Sequence, residues 1–181
     1  VSIGIDGKGA NDDIFTSAIS DDGQFVSFST AATDIAAGQS ANNNIFIWNE
    51  QTGFITHIVD AGFDNGNSVL SSDGRYIAFQ TDVSLVGTDD TNMHTDVYKG
   101  DLSNILSPIF TLISMTDSGP TAMGGSYPDM TPNGRFIAFE SSATLTSQDT
   151  NVCGDVYRRD TAGVQADIMK VSFTDTNIES T

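Results

Sequence analysis

Asp90-Thr91-Asn92 followed by Asp96, and again Asp149-Thr150-Asn151 followed by Asp155, are the residues whose types and spacing fit a recognisable chemistry. Oxygen ligands at alternate loop positions, with another carboxylate a few residues on, suit a hard cation such as Ca2+. Asp90, Asn92, Asp96, Asp149, Asn151 and Asp155 are therefore the candidate metal ligands. The same side chains can instead accept hydrogen bonds from loop amides and fix the start of the next strand, and that reading carries the greater weight. Aligning the chain through Ile45, Val97 and Val156 puts Gly38, Ser40 and Asn44 at the corresponding places of an earlier segment. That segment lacks both carboxylates, so no ion is expected there.

Little else suggests a reaction. His57 falls in an alternating strand pattern and His94 in a loop, and neither has an orienting acid and nucleophile that the sequence can pair with it. Cys153 lies in the loop before the third strand of the third repeat, next to Gly154, with acidic neighbours that disfavour a thiolate. There is no Gly-x-Ser-x-Gly elbow, no Gly-x-x-x-x-Gly-Lys phosphate loop and no Cys/His cluster with zinc spacing. No catalytic residue is assigned, and an enzyme is not expected. Arg158-Arg159, beside Asp155 and Asp160, reads as local charge pairing on a strand surface, with docking of an acidic partner as the alternative. Trp48 reads as a filler between packed units, or else as a binding-surface aromatic.

The elements that must position these residues are repeated. Ser72-Asp73-Gly74-Arg75-Tyr76-Ile77-Ala78-Phe79 has counterparts in Asp21-Asp22-Gly23-Gln24-Phe25-Val26-Ser27-Phe28 and Thr131-Pro132-Asn133-Gly134-Arg135-Phe136-Ile137-Ala138-Phe139. Asp-Gly or Asn-Gly before an alternating apolar run signals a tight hairpin and a strand, with a type I′ turn as the expected geometry. Within the strand, Phe25, Tyr76 and Phe136 share a face with Ser27, Ala78 and Ala138, while Val26, Ile77, Ile137 and Phe28, Phe79, Phe139 fill the other. A strand apolar on both faces is covered on both, and the recurring small residue implies close approach by a neighbouring sheet.

Each repeat reads as a four-stranded meander. Strands are expected at residues 16–20, 25–30, 44–49 and 54–59; at 68–71, 76–81, 95–99 and 109–115; and at 127–131, 136–141, 155–159 and 166–173. Fifty-one residues separate Gly23 from Gly74 and 60 separate Gly74 from Gly134, so insertions fall in outer turns and connections. Residues 1–15 read as the last strand of a preceding unit plus a linker, 16–67, 68–126 and 127–181 as repeats one to three, with the start of a further connection at Ile178-Glu179-Ser180-Thr181.

Four strands recurring at this length form the signature of a β-propeller. The run Ser72 to Phe79 with Asp90-Thr91-Asn92 and Asp96-Val97-Tyr98, and the run Asn133 to Phe139 with Asp149-Thr150-Asn151 and Asp155-Val156-Tyr157, resembles the TolB-type, WD-like propeller repeat. The resemblance covers most of the chain. It implies an all-β propeller of four-stranded antiparallel blades and a habit of binding other molecules. Its members include periplasmic partners, sensor domains and propellers attached to peptidases. Three blades are fewer than the four to eight that close a ring, so further blades or another chain are expected over the terminal faces.

Composition narrows the partners. The chain has 181 residues, 38% of them hydrophobic, which is enough for a substantial core. Its 24 acidic and 7 basic residues give a net charge of −17, which repels phosphate backbones and argues against nucleic acid. No apolar run reaches the length of a membrane span, and Val1-Ser2-Ile3-Gly4 does not open a signal peptide. Cys153 is the single cysteine, so no internal disulfide forms. High acidity with little lysine suits a secreted, periplasmic or cell-surface protein. The expectation is a non-catalytic binding or structural module with a protein or other extracellular ligand. The alternatives are a propeller appended to an enzyme such as a peptidase, and a self-assembling subunit joined through open blade edges.

Overall fold

A computed structural model of the chain describes residues 3–36, 41–62, 66–87, 90–119, 122–151, 153–162 and 167–172. It contains twelve strands in three antiparallel four-stranded sheets. Blade 1 consists of β1 (Ile14–Ile19), β2 (Phe25–Thr30), β3 (Asn43–Asn49) and β4 (Ile55–Gly62). Blade 2 has β5 (Ser68–Leu70), β6 (Tyr76–Thr81), β7 (Asp96–Asp101) and β8 (Ile109–Leu112). Blade 3 has β9 (Ser126–Met130), β10 (Phe136–Ser141), β11 (Asp155–Asp160) and β12 (Ile168–Lys170). In every blade, neighbours in sequence are neighbours in the sheet, as a meander requires. No α-helix occurs among the described residues.

The alternation in the second strand of each blade sets the stacking. Ile77 and Phe79 join Ile45, Ile47 and Tyr98 in a core between blades 1 and 2, while Ala78 turns to the other face and joins Ile137, Phe139 and Tyr157 between blades 2 and 3. The small residues mark the close approach, and the Ser27 and Ser68 hydroxyls meet at 3.0 Å across the first junction. A second device repeats at the hairpins. A β-carbon added to Gly74 would lie 2.2 Å from the ring of Phe25, and one added to Gly134 would lie 2.5 Å from the ring of Tyr76. The turns of blades 2 and 3 thus press their bare backbone on the aromatic residue of the blade before.

The hairpins differ from the expected type I′ geometry. Gly23, Gly74 and Gly134 have positive φ, but Asp22, Asp73 and Asn133 do not. The turn closes through the Gly23, Gly74 and Gly134 amides donating to the carbonyls of Ser20, Ser71 and Thr131. The hydroxyls of these last three residues donate to Asp22, Asp73 and Asn133 and accept from the amides of Phe25, Tyr76 and Phe136. A polar clamp of this kind keeps the middle residue in ordinary backbone space and leaves only glycine left-handed.

Residues 3–5 also differ from expectation. They form no strand; Ile3 makes a single bridge with Gly9, and the Ile5 amide donates to the Asp34 carbonyl. The expected start of a further connection at residues 178–181 lies outside the described residues. At the two ends of the array apolar side chains remain exposed: Ile19 and Phe54 on blade 1, Met169 and Val171 on blade 3. Trp48 lies half-buried with Ile3, Ile35, Phe54 and Ile55 around a cavity of about 500 Å³ on blade 1, away from the junction with blade 2.

Candidate functional site

At or next to the start of the third strand of each blade a polar residue pairs with the end of the second: Asn44 with Thr30, Asp96 with Thr81, and Asp155 with Ser141. Two residues on comes an aromatic residue, Phe46, Tyr98 or Tyr157. Cross-strand pairing puts His57, Leu112 and Lys170 opposite those aromatics. Sheet geometry thereby brings a fourth-strand side chain to the polar position in blades 1 and 3, whereas Leu112 packs into the apolar core.

In blade 3 that side chain is a cation. Lys170 Nζ lies 2.8 Å from Asp155 Oδ2 and 3.4 Å from Asp149 Oδ1, and all three side chains are buried. The Tyr157 hydroxyl donates to Asp149 Oδ2, and the Ser172 hydroxyl to Asp155 Oδ1 at 2.6 Å. Asp149 and Asp155 come together, and a lysine ammonium stands between their carboxylates. Asn151 Oδ1 accepts the Cys153 amide, a loop-fixing bond.

In blade 1 the corresponding pair is neutral. His57 Nε2 lies 2.9 Å from Asn44 Oδ1, and its ring tilts against Phe46. Burial pushes the imidazole pKa below its ordinary value, against the pull of Asp60. Gly38 and Ser40 lie outside the described residues.

In blade 2 the two carboxylates have no such partner. Asp90 and Asp96 are both buried; the Tyr98 hydroxyl donates to Asp90 Oδ2, and Asp96 Oδ1 accepts from the Ser114 hydroxyl at 2.5 Å and the Gly124 amide at 2.9 Å. The Asn92 side chain supplies a further hydrogen bond to Asp96. Burial pushes the Asp96 carboxyl pKa up against the hydrogen bonds from Ser114, Asn92 and Gly124, and the nearby Asp90 charge adds a smaller push in the same direction. Burial and the bond to Asp90 likewise push the Tyr98 hydroxyl up. Asn92 Oδ1 accepts the His94 amide, again a loop-fixing bond. Among the described residues no group of three or more His, Cys, Asp or Glu surrounds a point that an ion could occupy, so any cation here would rest on two carboxylates.

Beside this site runs an open cleft of about 400 Å³ between blades 2 and 3, lined among others by His94, Gly124, Ser126, Glu140 and Ser141. Met93 and Tyr127, next to two of these residues, are exposed and hold positive φ at 56° and 52°. Bulky side chains rarely adopt left-handed backbone, and such residues concentrate at functional surfaces. The sequence assigned His94 to a loop and gave no sign of this cleft.

No protein-family profile matches the chain, and no curated protein does. Solved structures do resemble it. TolB from Acinetobacter baumannii superposes with a TM-score of 0.52 at 17% identity, covering 93% of this chain and 34% of that one. A putative TolB from Agrobacterium tumefaciens gives 0.51 at 16% identity, covering 86% and 50%. The β-propeller domain of the Trilobed protease from Pyrococcus furiosus gives 0.53 at 13%, covering 88% and 43%. The chain has a TolB-like β-propeller fold. It spans about a third of the first of these proteins and half of the second.

Several residues of this TolB-like array have roles that the sequence did not show. Arg159, expected on a surface, is buried and donates to the Met115 carbonyl of blade 2; burial lowers its pKa to about 10. Arg158 lies over the Phe136 ring. Asp160 instead pairs with Arg135 at 2.7 Å. Cys153 is exposed. Lys170, Leu112 and His57 were not aligned with one another, and the one available signal was their order after each third strand. Turns of unequal length hide that register.

Proposed function

We propose that the chain is a non-catalytic propeller module of an exported or surface protein, and that it holds a protein partner in the cleft between blades 2 and 3. The observation that carries this reading is the pair of exposed residues on left-handed backbone, Met93 and Tyr127, flanking that cleft. Keeping bulky residues in that conformation costs about 1–3 kcal/mol each, which a rim with no contact to make would not retain. The charge of −17 favours a partner with a basic surface.

The test is site-specific crosslinking in the full-length protein. A photo-reactive residue at Glu140 should capture one defined protein, and the same residue at Thr52, in the outer turn of blade 1, should not. Equal capture at both positions removes the cleft from the reading.

A second reading, a propeller appended to a peptidase, draws on the likeness to the propeller of the Trilobed protease. A peptidase domain in the complete reading frame, together with peptide hydrolysis by the full-length protein, would favour it. His57→Ala should leave any such hydrolysis intact, because its ring is engaged with Asn44 and Phe46.

A further inference from the structure

Each junction between blades joins the same two positions. On the leading blade the position is the third-strand residue paired with the small residue of the second strand: Ile47 opposite Ser27 in blade 1, Lys99 opposite Ala78 in blade 2. On the following blade it is the residue just past the third strand, whose amide donates to the residue after the hairpin glycine: Leu102 to the Arg75 carbonyl, Thr161 to the Arg135 carbonyl. The chemistry matches within each junction. Ile47 and Leu102 share the apolar core between blades 1 and 2, whereas Lys99 Nζ donates to the Thr161 hydroxyl at 2.9 Å and to the Gly134 carbonyl at 2.6 Å between blades 2 and 3.

Both positions occur once more, uncoupled. Arg158, opposite Ala138, is the leading residue of blade 3, and Glu50, whose amide donates to the Gln24 carbonyl, is the following residue of blade 1. The Arg158 guanidinium lies 4.8 Å from the centroid of the Phe136 ring, much as Lys99 Nζ lies 4.0 Å over Tyr76. Its Nε is buried and finds no hydrogen-bond partner among the described residues, and Glu50 is exposed. Around Arg158 the face is open: Val156 is 37% exposed where Ile45 and Val97 are fully buried. Blade 1 offers the other half, with Ile19 exposed and empty space over Gly23 where Gly74 and Gly134 meet a ring.

We propose that blade 3 of one copy of this chain docks on blade 1 of a second copy, pairing Arg158 with Glu50 and seating the Gly23 turn on the Phe136 ring. Charge selects this partner. Of the three following residues, Leu102, Thr161 and Glu50, only Glu50 gives the guanidinium a charge-assisted bond. Two such junctions, each head to tail, close a ring of six blades, within the span of four to eight that propellers use.

Sedimentation equilibrium of the full-length protein tests the proposal. The wild type should form a dimer, and Arg158→Glu and Glu50→Arg should each weaken it about tenfold or more, because like charges then face each other. Mixing the two single variants should restore the dimer, since both junctions of the mixed pair are then matched; a merely structural role for either residue gives no such rescue. A monomeric wild type overturns the proposal, and so does self-association that neither reversal changes. The first outcome leaves this face to another part of the same chain or to a different protein. Should Arg158→Glu fail to fold by circular dichroism, Glu50→Arg, at an exposed position, still decides.

Discussion

Lys170 Nζ and Asp155 Oδ2 meet at 2.8 Å with both side chains out of water, joining the last strand of blade 3 to the third. An ion pair buried this fully adds little beyond what apolar packing would, but removing one partner strands the other charge. Lys170→Met should therefore cost about 3–5 kcal/mol in denaturant unfolding with a chelator present. Asp155→Asn in the same chain should recover part of the loss. A cost below about 1 kcal/mol would mean that water reaches these carboxylates.

The hairpin glycines separate backbone strain from blade packing. Gly23, Gly74 and Gly134 share positive φ, but an added β-carbon finds open space at Gly23 and the Tyr76 ring at Gly134. Gly23→Ala should cost about 1–2 kcal/mol, from left-handed backbone alone. Gly134→Ala should cost a further ~1–3 kcal/mol, because the ring must shift within a packed junction. Equal costs in urea unfolding would show that the contact between blades is loose.

Two exposed ion pairs make the array sensitive to acid. Bonds from Arg75 and Arg135 lower the pKa values of Asp101 and Asp160 from 3.8 to about 2. Carboxylates depressed in this way stabilise the fold fully above the unfolded value, and that contribution is lost as pH falls from about 3.8 toward about 2. Arg75→Gln and Arg135→Gln should flatten the acid limb of stability against pH and lower neutral stability by the same amount, a modest one since exposed pairs are screened. Blade 1 has Gln24 and Asn49 at these positions and so lacks this ion pair. An acid limb as steep in the double variant as in the wild type would assign it to other carboxylates.

The tyrosine hydroxyls can be tested with an internal control. Tyr157→Phe removes the donor to buried Asp149 and should cost about 1–3 kcal/mol, the range for leaving a buried acceptor short of a bond. Tyr127→Phe alters an exposed side chain and should change stability by less than ~0.5 kcal/mol. Matching melting temperatures for the two variants would show that the Asp149 loop finds another donor.

Much of the blade was legible in the sequence because it is local. Asp-Gly and Asn-Gly punctuation located all three hairpins, and period-two alternation assigned Phe79 and Ala78 to opposite faces, since neither signal depends on anything more than a few residues away. The turn type was misread because the Ser20, Ser71 and Thr131 hydroxyls clamp the turn from outside the Gly dipeptide. The loop aspartates could be named as candidates, but their countercharge could not. Lys170 meets Asp155 only through pairing of β11 with β12, and His57 meets Asn44 only through β4, whose ladder with β3 is shifted between Ile45 and Phe46. A register set by loops of unequal length and by a bulge cannot be counted along a chain. Tertiary pairing alone decided that blade 3 carries its own cation and that blade 2 does not.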